Sequence, residues 1–306
     1  MPALLPHHLP PGYRSRPATT ADIELMYRLI ASCEEELDGS VETDLDIVAA
    51  DLARPGLDPA LDTLLVFAPD GELAGRAWVN RRSEVDVHPG HRGLGLGDSL
   101  LTWVEARARE SGGTRIAQTV PDRDHQGVAL LRRHGYVPMV TSWLLELISP
   151  TEPVVPEPPA GITVRPFRPG DERAAHQLTE DAFDEWQQRR RSYEEWALLT
   201  VERATFAPAV SMLAFAGDQL VGAVLSLDVP ESGEGYIERV AVRRDHRNQG
   251  IARVLLQHTF RGFHRQGRPV CTLWTHSNTG ALSLYEKLGM TIRRSATVHY
   301  KDLTTP

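Results

Sequence analysis

Hydrophobic and polar positions change period along the second half of the chain, and each change marks an element. From Tyr236 to Val242 the alternate residues Tyr236, Glu238, Val240 and Val242 share one face, which is the period of a strand. From Gly250 to about His264, Ile251, Val254, Leu255 and Phe260 gather on one face of a helix. The same reading predicts a strand at Ile162 to Pro166 and a helix from about Asp171, whose carboxylate can cap the free N–H groups of the first turn. A helix follows at Ser192 to Glu202, then strands at Ser211 to Ala216 and Leu220 to Leu227 joined by a hairpin turn at Gly217-Asp218. The pattern ends with a strand at Val270 to Thr275, a helix at Thr279 to Leu288 and a closing hairpin from Met290 to Tyr300. The first half gives the same order from Tyr13 to Ile148. The predicted class is mixed α/β, of an α+β-like kind, with a central sheet flanked by helices.

That order occurs twice because the sequence repeats itself. Val87-His88-Pro89-Gly90-His91-Arg92-Gly93-Leu94-Gly95-Leu96-Gly97 is answered about 155 residues later by Val242-Arg243-Arg244-Asp245-His246-Arg247-Asn248-Gln249-Gly250-Ile251-Ala252. Leu131-Arg132-Arg133-His134-Gly135 is answered in the same way by Tyr285-Glu286-Lys287-Leu288-Gly289. Solenoid repeats are about 20 to 50 residues long, so this period indicates duplicated domains. The chain of 306 residues is long enough for two cores. Between the copies, five of the residues from Pro150 to Pro159 are prolines, Pro150, Pro153, Pro156, Pro158 and Pro159, and proline at that density forbids a helix and favours an extended connection. The expected division is therefore 1–149, a proline-rich linker at 150–160, and 161–306.

Composition narrows the function classes. The formal net charge is −8, which argues against bulk binding of nucleic acid or an anionic membrane surface. Residues 1–17 lack the apolar core of a secretory signal, and no run reaches the 18 apolar residues of a membrane span. The two cysteines, Cys33 and Cys271, fall in different repeats and offer neither a disulfide framework nor metal spacing, as expected of a cytoplasmic protein. His88 and His91 superficially suggest a metal, but the sequence places no third ligand near them, so no metal is expected.

The repeated motif has a chemical reading of its own. A strand ending at Val242 feeds a loop containing Gly250, and the loop opens into a helix. Free N–H groups in a helix's first turn attract an anion such as pyrophosphate, and Arg247 adds positive charge there. Alone, such a loop also suits a nucleotide site or a purely structural turn. Arg92 to Gly97 is not a dinucleotide fingerprint, because no strand of the required βαβ unit precedes it at the chain's start, and it lacks the Lys-Ser/Thr ending of a P-loop.

Together the motifs resemble the GNAT acetyltransferase superfamily, in its tandem form. The residues that carry this are Val-x-x-x-x-Arg-x-x-Gly-x-Gly/Ala after a strand, then Asn-x-x-Ala-x-x-x-Tyr-x-x-x-Gly. In the second repeat they are Arg247, Gly250, Ala252, Asn278, Ala281, Tyr285 and Gly289. The resemblance implies that acetyl-CoA is the co-substrate, with its pyrophosphate on Arg247, Asn248, Gln249, Gly250, Ile251 and Ala252. It implies that the pantetheine arm pairs with the backbone of Val240, Ala241 and Val242, and that Asn278 joins the cofactor site. Tyr285 matches the family's acid tyrosine. Glu238 takes the role of base, two residues after the commonest position, which here is Tyr236, and His276 stands in reserve. The equivalent cofactor positions of the first repeat are Val85, Val87, Arg92, Gly93, Gly95 and Gly97.

The two copies are unequal. In the first, Leu131 stands at the tyrosine position, Asp124 at the asparagine position, and Arg81 and Ser83 at the positions of Tyr236 and Glu238; alternation sends Glu84 to the other face. A non-catalytic first domain and a catalytic second one are expected. Acceptor choice is expected from Asp184, Glu185, Trp186, Arg189, Arg190, Arg191, Tyr193 and Trp196, with aromatics lining a pocket and Asp184 or Glu185 holding an ammonium. The leading expectation is transfer of acetyl to a primary amine of a small molecule. The alternatives are a protein or peptide N-acetyltransferase, or an acyl-CoA-binding sensor without turnover. The sequence leaves the oligomeric state open.

Overall fold

The computed structural model describes residues 9–80, 82–185, 189–229 and 233–304. The chain forms two compact units, Met1–Thr141 with Ala296–Pro306, and Ser142–Ser295. These units do not coincide with the two repeats, because hydrogen bonding gives the end strand of each repeat to the other unit.

In the first unit, β1 (Arg14–Arg16), β2 (Thr63–Phe67), β3 (Leu73–Val79) and β4 (Ser83–Val87) form an antiparallel sheet in that order. Helices α1 (Ile23–Asp38) and α2 (Leu45–Leu52) share one buried cluster with Leu65 and Leu73, and α3 (Pro59–Asp62) leads into β2. Helices α4 (Leu96–Glu110) and α5 (His125–Arg133) share another cluster, with Leu64, Val66 and Ala77. Strand β5 (Arg115–Pro121) pairs antiparallel with residues Ala296 to Asp302 of the chain's last strand. The Lys301 ammonium, 2.7 Å from the Glu105 carboxylate, ties that strand to α4.

In the second unit, the end of β6 (Val137–Ile148) begins a sheet that continues through β11 (Val270–His276), β10 (Glu234–Val242), β9 (Gln219–Val229), β8 (Met212–Ala216) and β7 (Ile162–Pro166). Among the described residues of this sheet, only β10 and β11 pair in parallel. Helices α6 (Glu172–Phe183) and α7 (Tyr193–Leu199) bury Ala175, Leu178 and Trp196 with Leu213, Ala223 and Leu225 of the sheet. Helix α8 (Ile251–Arg265) buries Ile251, Leu255, Phe260 and Phe263 in a cluster with Val221, Val224 and Ile237, joined by Tyr285 of α9 (Leu282–Lys287). Each such large apolar side chain stabilises the fold by about 1.5 to 3 kcal/mol. The close fit explains Gly235, where a Cβ would stand 2.5 to 2.7 Å from carbons of the Phe263 ring.

The predicted order of elements is present, with three local differences, the first being that the helix expected at Thr279 to Leu288 is shorter, α9 spanning Leu282–Lys287. Helix α7 ends at Leu199, three residues short of the expected end. The expected hairpin at Met290 to Tyr300 is instead one strand, β12 (Thr291–Asp302). No glycine, proline or asparagine supplies a turn there, and β5 offers seven residues to pair with. Residues 151–159 carry no helix or strand. Among the described residues, no helix is long and apolar enough to cross a membrane.

Candidate active site

Strands β10 and β11 pair only at Gly235, Tyr236 and Ile237, opposite Cys271, Thr272 and Leu273. Beyond that point they part, while β10 stays paired to β9 as far as Val242. The β11-facing edge of Glu238 to Val242 is therefore free to bond an extended ligand. The parting coincides with a β-bulge: Ile237 faces Ser226 and Arg239 faces Leu225, so Glu238 is the extra residue. Between β10, the start of α8 and α9 lies a cleft of about 510 Å³.

The bulge corrects the expected alternation. Ile237, Val240 and Val242 pack with the α8 cluster, whereas Ala241 packs with the α6 cluster and Arg239 stands over the Phe183 ring of α6. Tyr236, Glu238, Val240 and Val242 thus do not share a face, because the extra residue reverses the alternation midway. Glu238 still lines the cleft, and among the described residues its carboxylate makes no ion pair or hydrogen bond.

The loop before α8 has the backbone that an anion cradle needs. Gly250 precedes the helix with φ +85°, and Asn248 takes φ 62°, the only non-glycine with positive φ among the described residues. Gly95 and Gly93 repeat this at φ +83° and +77°. Both loops are braced identically: Arg247 Nε donates to the Val242 carbonyl at 3.2 Å, and Arg92 Nε to that of Val87 at 3.4 Å. Arg247 also donates to the Ala182 carbonyl, and Arg92 pairs with Glu36. These arginines hold the loop's shape as well as supplying charge.

Of the expected second-repeat residues, Glu238, Val240, Ala241, Val242, Arg247, Asn248, Gly250, Ile251, Ala252 and Tyr285 line the cleft. Gln249 and Asn278 do not; both are exposed, and Gln249 bonds the Asp245 carbonyl. Tyr285 is 6% exposed, and burial pushes its phenol up to about 12. It is therefore protonated at neutral pH and can donate a proton. His276 also lines the cleft, with Nδ1 buried and unbonded.

In the first repeat, Val85 and Val87 pack against the α4 cluster. Leu131 is buried where the tyrosine would be, Asp124 caps α5 by accepting from the Gly127 N–H, and Gly97 allows close packing on Leu130. Arg81 lies outside the described residues.

The expected acceptor segment is arranged differently. Asp184 pairs with Arg190 at 2.9 Å and Glu185 with Arg244, so each carboxylate already has a cationic partner within the protein. Arg189 pairs with Glu195 at 2.6 Å, Trp196 is fully buried, and Tyr193 packs on His176. None of these residues lines the cleft, and Trp186 lies outside the described residues. Beyond the expected residues, the cleft is also lined by Trp274 of β11, half exposed, and by Arg239 of β10. Neither stood out in sequence, since each is a single residue in a strand.

His88 and His91 do meet a third candidate ligand, Glu72, with ligand atoms all within 4.8 Å of one another. Yet His88 Nδ1 accepts the Gly90 N–H, which leaves Nε2 protonated in the neutral ring and without a lone pair for a metal. His91 bonds Glu72 at 2.8 Å and the Tyr13 hydroxyl at 2.7 Å.

Comparison with known proteins identifies the family. The Acetyltransferase (GNAT) family profile matches residues 23–136 and 172–290. A mycothiol acetyltransferase of Geodermatophilus obscurus is 31% identical over 247 residues, 74% of this chain and 78% of that protein. One from Pseudarthrobacter chlorophenolicus is 27% identical over 288 residues, 86% and 88% of the two chains. The solved GCN5-related N-acetyltransferase of Sphaerobacter thermophilus covers 97% of each chain at 31% identity, with a TM-score of 0.75. A tandem GNAT protein from the clavulanic acid biosynthesis pathway, at 18% identity and a TM-score of 0.63, shares the fold. The chain belongs to the GNAT acetyltransferase family, in its tandem two-domain form.

Proposed function

We propose that the second unit transfers acetyl from acetyl-CoA to a primary amine of a small molecule. The observation that carries this reading is the meeting, in one cleft, of a free strand edge, a helix N-terminus behind a glycine turn, an unpaired carboxylate and a protonated buried phenol. The pyrophosphate is assigned to the N–H groups at the start of α8, and the pantetheine amides to the free edge of Val240 to Val242. The amine nitrogen attacks the thioester carbonyl carbon, and Glu238, directly or through a water, accepts the proton it loses. Collapse of the tetrahedral adduct breaks the C–S bond, and Tyr285 protonates the departing thiolate. Acetyl-CoA and amine become the acetamide and CoA, with both protons accounted for.

The first unit keeps the loop but has Leu131 and Ser83 where the acid and base would be, so its role is ligand holding or support. The name of the mycothiol acetyltransferase relatives favours a small metabolite over a protein acceptor. The test is CoA thiol release with a panel of small primary amines, for the wild type and Tyr285→Phe. Turnover is expected to fall about 100-fold in the variant, the lower end of what general acid catalysis contributes, with acetyl-CoA affinity unchanged. Equal turnover would remove Tyr285 from the acid role.

A further inference from the structure

Arg239 follows Glu238 directly and lines the same cleft. Its Nε is buried with no hydrogen-bond partner, and among the described residues no carboxylate is within ion-pair distance of its guanidinium. The charges around it are Arg191, which repels it, and Glu238 and Glu180, which attract it without pairing. The Glu180 carboxylate is engaged elsewhere, accepting the backbone N–H of Arg191 at 2.8 Å. Burial, reinforced by Arg191, lowers the Arg239 pKa from its ordinary value.

The first repeat shows how this protein compensates a buried arginine internally. Arg76 of β3, 4% exposed, donates to Asp86 at 2.7 Å and to Glu84 at 3.1 Å. Glu84 stands three residues before Val87, as Arg239 stands three before Val242. The position that supplies a compensating carboxylate in one repeat therefore supplies, in the other, a cation that stands over the Phe183 ring but has no carboxylate partner. Arg239 is only partly buried, its Nε alone being shut off from solvent, but a cation held in a cleft without a carboxylate partner is costly unless a ligand supplies one.

We propose that Arg239 is the anion-binding residue of the acceptor subsite, and that the acceptor is a short amino carboxylate whose carboxylate pairs with Arg239 while its amine meets Glu238. This rests on the acetyltransferase reading for the amine's fate, but the pairing itself does not require turnover. The cofactor's phosphates are the other possible anion. They are assigned to the loop before α8, and the test separates the two.

The experiment is saturation-transfer NMR on the full chain loaded with CoA, using β-alanine and γ-aminobutyrate against β-alaninamide and propylamine. Wild type, Arg239→Lys and Arg239→Met are compared, with acetyl-CoA affinity measured by calorimetry. The wild type is expected to prefer the carboxylates about tenfold or more, Lys to keep part of that preference, and Met to lose it, while acetyl-CoA affinity changes less than about twofold. Arg239→Met is also expected to raise the unfolding midpoint of the ligand-free protein, by removing an unpaired charge. Equal binding of carboxylate and amide by the wild type would overturn the proposal, as would a preference that survives in Met. Loss of acetyl-CoA affinity in Met would assign Arg239 to the cofactor and overturn it too. Failure of every amine to be acetylated would sink the acetyltransferase reading, while the binding arms would still decide the role of Arg239.

Discussion

Replacing Gly250 with glutamate separates the cofactor loop's shape from its electrostatics. The residue sits at φ +85° with no atom within 4 Å of where a Cβ would be, so any side chain fits in space but strains the backbone. A left-handed conformation costs a non-glycine residue about 1 to 2 kcal/mol, and Gly250→Ala carries that cost alone. Glutamate adds a negative charge where the helix N–H groups would face pyrophosphate. A like-charge pair at 4 Å costs about 1 kcal/mol in bulk water and about 4 kcal/mol at an effective dielectric of 20. Against a doubly charged pyrophosphate the penalty is at least about 2 kcal/mol, a loss of affinity of about 30-fold. Calorimetric titration of acetyl-CoA into the wild type, Gly250→Ala, Gly250→Glu and Gly95→Glu measures it and counts sites. One site, lost only in Gly250→Glu, would make the first unit structural. Two sites, each lost with its own glycine, would give it a ligand-holding role. Unchanged affinity in Gly250→Glu would refute the cradle.

Other outcomes test the remaining chemistry and packing. Glu238→Gln is expected to shift the rate profile toward higher pH, because without a base only free amine reacts; an unchanged profile would move the role to His276 or water. Burial pushes the thiols of Cys33 and Cys271 up to about 12, so the fully buried Cys271 should resist a disulfide reagent at pH 8 in the folded protein while the half-buried Cys33 reacts slowly; fast labelling of Cys271 would contradict its burial. The same burial raises the Tyr236 and Tyr285 phenols to about 12, so the folded state holds these protons more tightly than the unfolded chain. Stability is fully present below about pH 9 and falls as pH rises toward 12; an unfolding midpoint flat over that range would contradict the assignment. Gly235→Ala should destabilise by about 1 to 3 kcal/mol through overpacking on Phe263, read as a lower denaturant midpoint with unchanged slope. No change there would mean that α8 yields freely.

The sequence by itself determined the duplication, the order of elements and both glycine loops. These are local properties: period 2 or 3.6 in apolar positions, and backbone conformations that Gly93, Gly95 and Gly250 adopt without strain. It also marked Tyr285, because the motif around it is contiguous. Tertiary structure alone decided the rest. The bulge at Glu238 interrupts the alternation that strand reading assumes, and it moved Tyr236 away from the face of Val240 and Val242. Pairing of β11 with β6, and of β12 with β5, depends on which strand edges are open, a non-local matter that redrew both units. Asp184 and Glu185 looked free in sequence because Arg190 and Arg244 meet them only in the fold. Arg239 carries no signal in the sequence; its partial burial and its lack of a carboxylate partner depend on what surrounds the side chain, and neither is written in its neighbours along the chain.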